Sequence, residues 1–315
     1  MYDTTKPYIS EIERLIQTTW QTKYVSAHER GVFQKYNPAT GVLFRHTDGI
    51  GTKGRDHWRE QTLAFAVTDA LAANFNDFAV ARAIPMEVCD HIFLPVDDHP
   101  AILEIVSQLA AQCSKWDIAI TAGEMAIHED FEGLEISITM LGAKRSFAAN
   151  QFRDGDVLIG IESSGPHANG FTLIHNVYGD KDFPSDITTP TFIYLKHIEE
   201  IDNACDIHGM VNITGGAFTK IKKYLGQHDA YIHRWHSLEP HDIFWDLVRR
   251  GVPERIMYKT FNCGIGFIIG VSPDMTKACF SILKPDFNAN IIGKVKAGLG
   301  RVHIQSMFSD TNILL

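Results

Sequence analysis

The stretch Ser163-Ser164-Gly165-Pro166-His167-Ala168-Asn169-Gly170 follows directly after the apolar run Val157 to Ile161. It combines hydroxyls, an imidazole, an amide and two glycines, and glycines let the backbone turn tightly or bring its N–H groups close to a ligand. A helix that begins near Asn169 would point its positive N-terminal end at the same place. The pattern therefore predicts a strand, a binding loop and a helix, with a loop composition typical of an anion site.

A second polar loop, Thr47-Asp48-Gly49-Ile50-Gly51-Thr52-Lys53, follows the apolar run Val42 to Phe44. Asp48 offers a carboxylate for a divalent cation and Lys53 offers a positive charge for phosphate, while the two glycines allow close backbone approach. This composition predicts a site for a metal-bound polyphosphate. The order Gly-x-x-x-x-Gly-Lys-Ser/Thr does not occur in the chain, which excludes a P-loop.

An apolar helix is predicted over about Glu60 to Ala83, because Ala, Leu, Val and Phe occupy nearly all of its faces. Asp69 and Asn76 lie two helical turns apart and share a stripe, with Asp77 adjoining. Carboxylates in a buried helix are costly unless they are compensated. They either cap a neighbouring loop or face a cavity that holds a cation or ligand, and the two polar loops favour the cavity. We expect Asp77 to bind metal; Glu124 is a second candidate, with a solvated loop glutamate as the alternative.

The composition limits the classes of function. With 315 residues, 45% hydrophobic and 21% charged, the chain is expected to form a soluble globular protein of about two domains. The net charge of -9, with Lys220, Lys222 and Lys223 as the one basic group, argues against a nucleic-acid or anionic-membrane partner. Five cysteines without a Cys-x-x-Cys pair indicate reduced thiols, and neither a transmembrane run nor a signal peptide is evident. We expect a cytoplasmic protein.

The order of elements predicts an α+β fold, because helices are not inserted regularly between strands. A polar segment from Lys144 to Gly155 interrupts the pattern and predicts two domains, 1–148 and 149–315. The predicted elements are a helix at 9–20, an irregular stretch at 21–39, strands at 42–44 and 86–94, a helix at 97–115, strands at 118–120, 134–141 and 157–161, a helix at 193–201, and strands at 210–213 and 263–270.

Two further glycine clusters lie in the second half, Ile213 to Phe218 and Phe261 to Gly266. The first, with Thr214-Gly215-Gly216, precedes a predicted helix, so its N–H groups could bind a phosphate-bearing substrate. Close packing of a strand against a helix also demands glycine, and for this cluster alone that interpretation is favoured. The second cluster is interpreted as mainly structural.

Taken together, these motifs resemble the phosphoribosylformylglycinamidine cyclo-ligase family, also called AIR synthetase. The resemblance runs from about Val42 to the C-terminal region. It rests on Thr47 to Lys53, Asn76-Asp77, Ser163 to Gly170, Ile213 to Gly216 and Phe261 to Gly266. The sequence departs from the family before the first of these motifs, where Ser26 to Phe33 carries one glycine in place of a glycine-rich segment. The resemblance implies a homodimer whose N-terminal domains pair their sheets into a barrel, with an α+β C-terminal domain.

The resemblance further implies ATP-dependent closure of an imidazole ring in de novo purine biosynthesis, through an iminophosphate of formylglycinamidine ribonucleotide, with ATP and Mg²⁺ as cofactors. The implied metal ligands are Asp48, Asp77 and Glu124. The implied nucleotide-binding residues are Asp48, Gly49, Gly51, Thr52, Lys53, Asp69, Asn76 and Asp77. The implied substrate-binding residues are Ser163, Ser164, Gly165, His167, Asn169, Gly170, Thr214, Gly215 and Gly216. His167, Asp77 and Lys53 would be catalytic, with His167 transferring a proton or stabilising developing charge.

Other interpretations stay open. An enzyme of the same superfamily would keep the ATP site and use another acceptor. Selenophosphate synthetase would require a reactive N-terminal Cys and a hydrogenase-maturation enzyme a C-terminal Cys, and neither is present; thiamine-phosphate kinase does not predict Ser163 to Gly170 in this form. A non-catalytic nucleotide-binding paralogue is a further alternative. The joint retention of Asp48, Lys53, Asp77 and His167 argues against it.

Overall fold

The computed structural model describes residues 7–29, 33–36, 41–179, 183 and 187–315. The chain divides into two compact units, Met1–Ser146 and Phe147–Leu315. Each unit has its own sheet with helices packed on it, which confirms the predicted α+β class. No helix in the described part of the chain is long and apolar enough to cross a membrane.

The first unit is built on a sheet with the strand order β3-β6-β4-β5, in which β4 and β5 are parallel and the other pairs antiparallel. Its elements are α1 (Ile9–Gln17), β1 (Val25–Glu29), β2 (Phe33–Tyr36), β3 (Leu43–Gly49), α2 (Lys53–Arg59), α3 (Leu63–Val80), β4 (Ala83–Leu94), α4 (His99–Lys115), β5 (Ala119–Ile127) and β6 (Glu135–Lys144).

The strands β1 and β2 form a separate antiparallel pair, so the prediction of an irregular stretch over 21–39 is wrong here. Val25 and Ala27 are buried and alternate with polar residues, a strand pattern too short to stand out in the sequence. Part of the segment that departs from the family, Arg30 to Val32, lies outside the described residues.

The apolar helix of the first unit begins later than predicted, because a turn separates α2 from α3. Gln61 in this turn has a φ of 53°, a left-handed conformation that cannot continue a helix. Within α3, Phe75 and Phe78 are fully buried. The Phe78 ring meets the Phe44 ring edge-on with 4.9 Å between centroids. Alternate residues of β3, starting from Phe44, therefore face α3.

The second unit is built on a larger sheet with the order β13-β12-β9-β11-β7-β10-β8, antiparallel except for the pair β9 and β12. Its elements are β7 (Val157–Glu162), α5 (Phe171–Tyr178), α6 (Leu195–Ala204), β8 (Gly209–Asn212), a 3₁₀ helix (Ala217–Tyr224), β9 (His228–Ile232), α7 (Asp242–Arg249), α8 (Glu254–Thr260), β10 (Ile265–Val271), a short 3₁₀ turn (Pro273–Met275), α9 (Thr276–Leu283), β11 (Ala289–Ala297), β12 (Val302–Gln305) and β13 (Asn312–Leu314).

One hydrophobic core joins this sheet to the helices on one of its faces, and Phe218, Phe244, Phe261, Ile268 and Ile292 lie in it with 1% exposure or less. Burying each such side chain contributes about 1.5–3 kcal/mol. The strands β7 and β8 end at the same end of this sheet. Both strands pair antiparallel with β10 between them, so they run in the same direction. The loops that follow them therefore lie at the same edge.

Candidate active site

Three side chains from β3 and α3 come together in the first unit. His46 and Asp48 are two residues apart on β3 and point to the face packed on α3, where Asp77 lies near the helix end. The candidate ligand atoms of the three residues all lie within 4.8 Å of one another, and His46 Nε2 is 3.1 Å from Asp77 Oδ2. The side chains of His46 and Asp77 are 25% and 26% exposed. We call this group the open cluster, because solvent reaches it.

Asn74, fully buried on α3, orients the imidazole of His46. Its Nδ2 donates to the backbone carbonyl oxygens of Asp48 at 3.3 Å and Ala70 at 3.0 Å. The amide oxygen Oδ1 must then be the atom 3.0 Å from His46 Nδ1, and it can only accept a hydrogen bond. The imidazole therefore carries a hydrogen on Nδ1 and directs Nε2 at the carboxylate of Asp77.

The electrostatics of the open cluster favour a positive charge. The hydrogen bond with Asp77 raises the pKa of His46 above its ordinary value, against the opposing effect of burial. The negative charges of Asp77 and Asp48 act in the same direction. Two carboxylates and one imidazole at this separation can hold a proton or a divalent cation.

Glu124, the third metal ligand predicted from the family, lies away from Asp48 and Asp77. It pairs in register with His91 on β4, and the same register continues through β6 to Gly49, the neighbour of Asp48. Glu124 is thus three strands from β3, about 14 Å at roughly 4.8 Å per strand, and on the opposite face of the sheet from Asp48. Within one chain, the predicted ligand set is corrected: Glu124 cannot join this group.

Sequence reasoning missed His46 and Asn74. The signal for His46 was its position two residues before Asp48 in a strand, and the signal for Asn74 was its position three residues before Asp77 in a helix. Both signals acquire meaning only once β3 and α3 are known to pack together.

Lys53, His57 and Asp69 form a second group, the closed cluster, whose side chains are 0% exposed. Lys53 Nζ lies 2.7 Å and His57 Nε2 lies 2.8 Å from Asp69 Oδ2. Burial tends to raise the pKa of Asp69, but the Lys53 charge and the His57 hydrogen bond hold it below its ordinary value. The predicted contacts of Lys53 with phosphate and of Asp69 with a nucleotide cleft are corrected, because neither side chain reaches the surface. The closed cluster joins α2 to α3.

The other nucleotide-binding residues predicted in this unit differ in their surroundings. Gly51 has a φ of 54° and open space where a side chain would be, whereas a Cβ on Gly49 would collide with Glu135 Oε1. Thr52 is half-buried directly before α2. Asn76 is fully buried, so it does not line an open cleft as predicted.

In the second unit, three of the predicted glycine loops meet at the edge where β7 and β8 end. The loops Ser163 to Gly170 and Thr214 to Gly216 follow these strands, and Phe261 to Gly264 precedes the antiparallel strand β10 between them. A Cβ on Gly215 would lie 3.4 Å from Asn169 Oδ1, which places the first two loops side by side.

His167 is 1% exposed and adopts a φ of 60°. Its Nε2 accepts a hydrogen bond from the backbone N–H of Ser164 at 3.3 Å and lies 3.5 Å from the Tyr194 hydroxyl. That hydroxyl donates to the Glu162 carbonyl oxygen at 2.7 Å. The predicted role of His167 in proton transfer is corrected, because the ring is enclosed and holds the loop in place.

The serine hydroxyls of this loop are also used inside the protein. Ser163 Oγ donates to Asn262 Oδ1 at 2.9 Å, and Asn262 Nδ2 donates to the Gly165 carbonyl oxygen at 2.8 Å. Ser164 Oγ donates to the Pro190 carbonyl oxygen at 2.6 Å. The Asn262 contacts tie the loop to the start of β10, and the Pro190 contact ties it to the segment before α6. Ser163, Ser164 and Gly165 thus have partners within the protein, and their contact with substrate stays a prediction.

The accessible part of this edge is smaller than the sequence predicts. Lys220, which the sequence shows only as part of a basic group, donates through Nζ to Thr214 Oγ1 at 2.6 Å and brings a positive charge to it. Gly170 and Gly216, with φ of 79° and 82°, begin the two helices that start here. Glycine backbone, an amide and an ammonium group together suit an anionic group. The half-buried or exposed predicted residues are Ser164, whose hydroxyl is bonded within the protein, and Asn169, Gly170, Thr214, Gly215 and Gly216.

A groove of about 630 Å³ lies elsewhere on the second unit, over β9, β11, β12 and β13. The rings of Tyr231 and His303 stack in it with 4.5 Å between centroids. Its lining in the described part of the chain includes none of the predicted site residues.

Two family models match the chain. The model described as "AIR synthase related protein, N-terminal domain" matches residues 36–143, and "AIR synthase related protein, C-terminal domain" matches residues 153–305. Each range lies within one of the two compact units.

The chain is similar in sequence to proteins named phosphoribosylformylglycinamidine cyclo-ligase. One, from Saccharolobus solfataricus, is 30% identical over 303 residues, which cover 93% of this chain and 90% of that protein. Another, from Clostridium botulinum, is 32% identical over 257 residues, 77% of each protein.

Solved structures share the fold. A hydrogenase maturation protein HypE in complex with ATP has a TM-score of 0.71 at 15% identity, over 99% of this chain and 95% of that one. Thiamine-monophosphate kinase from Stenotrophomonas maltophilia K279a has a TM-score of 0.66 at 18% identity, over 97% of this chain and 98% of that one. At these identities the likeness concerns the fold alone.

Proposed function

Since the chain belongs to the phosphoribosylformylglycinamidine cyclo-ligase family and is an ATP-dependent ligase, we propose that it converts formylglycinamidine ribonucleotide to aminoimidazole ribonucleotide. This is a ring-closing step of de novo purine biosynthesis. The observation that carries the proposal is the open cluster, which brings Asp48 and Asp77 from separate elements to one accessible place.

In the proposed reaction the formamide oxygen of the substrate attacks the γ-phosphorus of ATP, and ADP leaves. An internal nitrogen then attacks the carbon of the iminophosphate, the imidazole ring closes, and inorganic phosphate leaves with the former formamide oxygen. Both steps depend on alignment and on neutralising phosphate charge. Neither step needs a covalent bond to the protein, in keeping with the burial of Lys53 and His167.

The carboxylates of Asp48 and Asp77 fit a divalent cation, and the family implies Mg²⁺ with ATP. When bound, the cation would neutralise the negative charge of the nucleotide phosphates. The turn from Gly49 through Gly51 to Thr52 follows Asp48 directly, so we assign to its backbone the nearest contacts with the nucleotide.

In the second unit, we assign binding of the anionic part of the ribonucleotide substrate to Asn169, Gly170 and the Thr214 to Gly216 loop. Lys220 would supply charge, because its ammonium group lies on Thr214. The serines and His167 support this surface from beneath through the hydrogen bonds described above.

We also propose that the protein is a cytoplasmic homodimer in which the first-unit sheets pair. The sheet face opposite α3 carries Thr47 and Thr139, whose exposed hydroxyls are 2.9 Å apart, and the exposed His91. A dimer mass by light scattering would support this pairing, and a monomer at assay concentration would contradict it.

The test of the reaction is phosphate release with ATP, Mg²⁺ and formylglycinamidine ribonucleotide, with the imidazole product followed in parallel. Asp77→Asn and Asp48→Asn should each lower turnover by at least about a hundredfold, the scale of losing one group that stabilises reacting charge. Asp286→Asn is the matched control, because Asp286 also pairs with a histidine but lies in the second unit.

Two outcomes would overturn the assignment. ATP turnover that requires a different acceptor would point to another enzyme of the superfamily. ATP binding without turnover of any acceptor would point to a non-catalytic nucleotide-binding paralogue.

A further inference from the structure

We propose that His46 Nε2 is itself a metal ligand, and that the open cluster binds an imidazole-preferring transition-metal ion more tightly than Mg²⁺. The inference rests on the cation role proposed above for Asp48 and Asp77. It concerns which ion these residues select.

The distances within the open cluster suit a shared ion. Metal-bound nitrogen and oxygen atoms lie about 2.0–2.2 Å from the ion, so atoms that share one ion are separated by about 3–4 Å. His46 Nε2 and Asp77 Oδ2 are 3.1 Å apart, and one candidate ligand atom from each of His46, Asp48 and Asp77 lies within 4.8 Å of the other two. The three residues are therefore close enough to share one ion.

The imidazole of His46 is oriented as in a metal-binding histidine. A histidine that binds metal through one ring nitrogen generally donates its other N–H to a protein acceptor, which fixes the tautomer. Asn74 performs this role from outside the ligand group, since its own amide is held by two backbone carbonyls. Nε2 is therefore presented to the two carboxylates.

The donor atoms of the open cluster distinguish between metal ions. Mg²⁺ takes oxygen ligands and keeps several waters, whereas imidazole suits Zn²⁺, Ni²⁺, Fe²⁺ and Co²⁺. In a set of two carboxylates and one imidazole, Mg²⁺ would therefore bind the carboxylate oxygens and not the imidazole. For a later first-row ion the same set supplies a third, stronger bond.

The experiment measures metal binding to the metal-free full-length protein without nucleotide. Co²⁺ is the probe, because its visible spectrum reports its ligands and its paramagnetism shifts the ring-proton resonances of a coordinated histidine. Competition with Mg²⁺ gives the ratio of the two affinities. Because no substrate is present, failure of the proposed cyclisation leaves this measurement unaffected.

Two substitutions separate ligation from support. His46→Asn keeps a hydrogen-bond donor near Asn74 and removes the Nε2 ligand. His46→Gln places an amide oxygen or nitrogen near the position of Nε2. We expect both variants to lose at least about tenfold in Co²⁺ affinity, the lower end of the cost of disturbing a metal site, and to keep Mg²⁺ affinity within a fewfold of the original.

His197→Asn is the matched control. His197 Nε2 lies 2.8 Å from Asp286 Oδ2, an imidazole–carboxylate pair that belongs to no three-residue group among the described residues. Its loss should leave Co²⁺ binding and the shifted resonances unchanged. Circular dichroism and thermal unfolding check that each variant is folded.

The inference is supported if Co²⁺ binds more tightly than Mg²⁺, if it shifts the ring resonances of His46, and if folded His46 variants lose Co²⁺ selectively. It is overturned if Mg²⁺ binds as tightly as Co²⁺, or if folded His46→Asn and His46→Gln proteins bind Co²⁺ as the original does.

Discussion

The closed and open clusters use the same kinds of residue, and they differ in what surrounds them. Asp69 and Asp77 lie on the same helix, eight residues or about 12 Å apart along its axis. Asp69 meets the ammonium group of Lys53 in a place without solvent, whereas Asp77 meets the imidazole of His46 with a quarter of its side chain exposed. The closed cluster contains its own counter-charge, and the open cluster has two carboxylates for one imidazole.

The closed cluster has charges with a structural role, and the open cluster has charges that a ligand can reach. A ligand that took one partner from a buried ion pair would leave the other charge buried and uncompensated. A buried ion pair therefore does not provide a binding site. An accessible group with excess negative charge can exchange a proton for a metal ion. Residue type alone does not distinguish the two cases.

The largest expected difference between the clusters is in stability. Lys53→Met removes the ammonium partner of the buried Asp69 and should lower the free energy of unfolding by about 3–5 kcal/mol. Asp77→Asn changes an accessible pair and should cost less than about 1 kcal/mol. Urea unfolding followed by circular dichroism measures both values.

The control for this prediction is the double variant Lys53→Met/Asp69→Leu. It replaces both charges with apolar groups and should recover much of the loss. A Lys53→Met protein as stable as Asp77→Asn would show that the two clusters do not differ in kind.

Acid should weaken the closed cluster in particular. The pKa of Asp69 is lower in the folded protein than its unfolded value of about 3.9. Its stabilising contribution is therefore present above that pH and is lost as the pH falls through the folded pKa. Thermal unfolding as a function of pH should show a steeper acid decline for the original protein than for Lys53→Met. Parallel curves for the two proteins would contradict the prediction.

The interaction between His46 and Asp77 in the open cluster should weaken at higher pH than the closed cluster does. The pKa of His46 is raised above about 6.5, so its interaction with Asp77 is fully present below that pH and is lost as the pH rises through the folded pKa. In metal-free protein, Asp77→Asn should lower the pKa of His46, as measured by NMR titration of its ring protons. Asp286→Asn should leave the His46 titration unchanged, and an unchanged titration in Asp77→Asn would show that Asp77 is not the cause.

The smallest expected effect concerns the turn that joins the helices of the closed cluster. Gln61 is exposed and has a φ of 53°, which glycine adopts without strain. Gln61→Gly should therefore raise the free energy of unfolding by about 0.5–1 kcal/mol. Gln61→Ala keeps the strain and should give no such gain in urea unfolding. Equal stabilities for the two variants would show that the turn stores no strain.

Much of the fold could be predicted from local pattern. The strand–loop–helix order around Ser163 to Gly170, the apolar helix that became α3 and the α+β class depend on periodicity and composition, which act over short distances. The strands β1 and β2 were missed because they are short and pair with each other.

The candidate site was less predictable, because its residues are brought together by packing. Asp77 was predicted as a ligand, and it lies beside Asp48. His46 was missed because its role depends on a helix packed against its strand. Lys53 was expected to bind phosphate. The turn at Gln61 instead folds α2 against α3, and the ammonium group of Lys53 lies on Asp69. His167 was expected to be reactive, yet it is enclosed beneath its own loop.

The fold class and the family can be predicted from the amino-acid sequence alone, because the motifs that carry them are contiguous and their spacing is visible in one chain. Which of the charged residues a ligand can reach depends instead on how the helices and strands pack. Burial and the nearest counter-charge set the cost of a charge, and both are properties of the packed molecule. Burial and counter-charge distinguish Asp77, which lies beside His46, from Asp69, which lies beside Lys53.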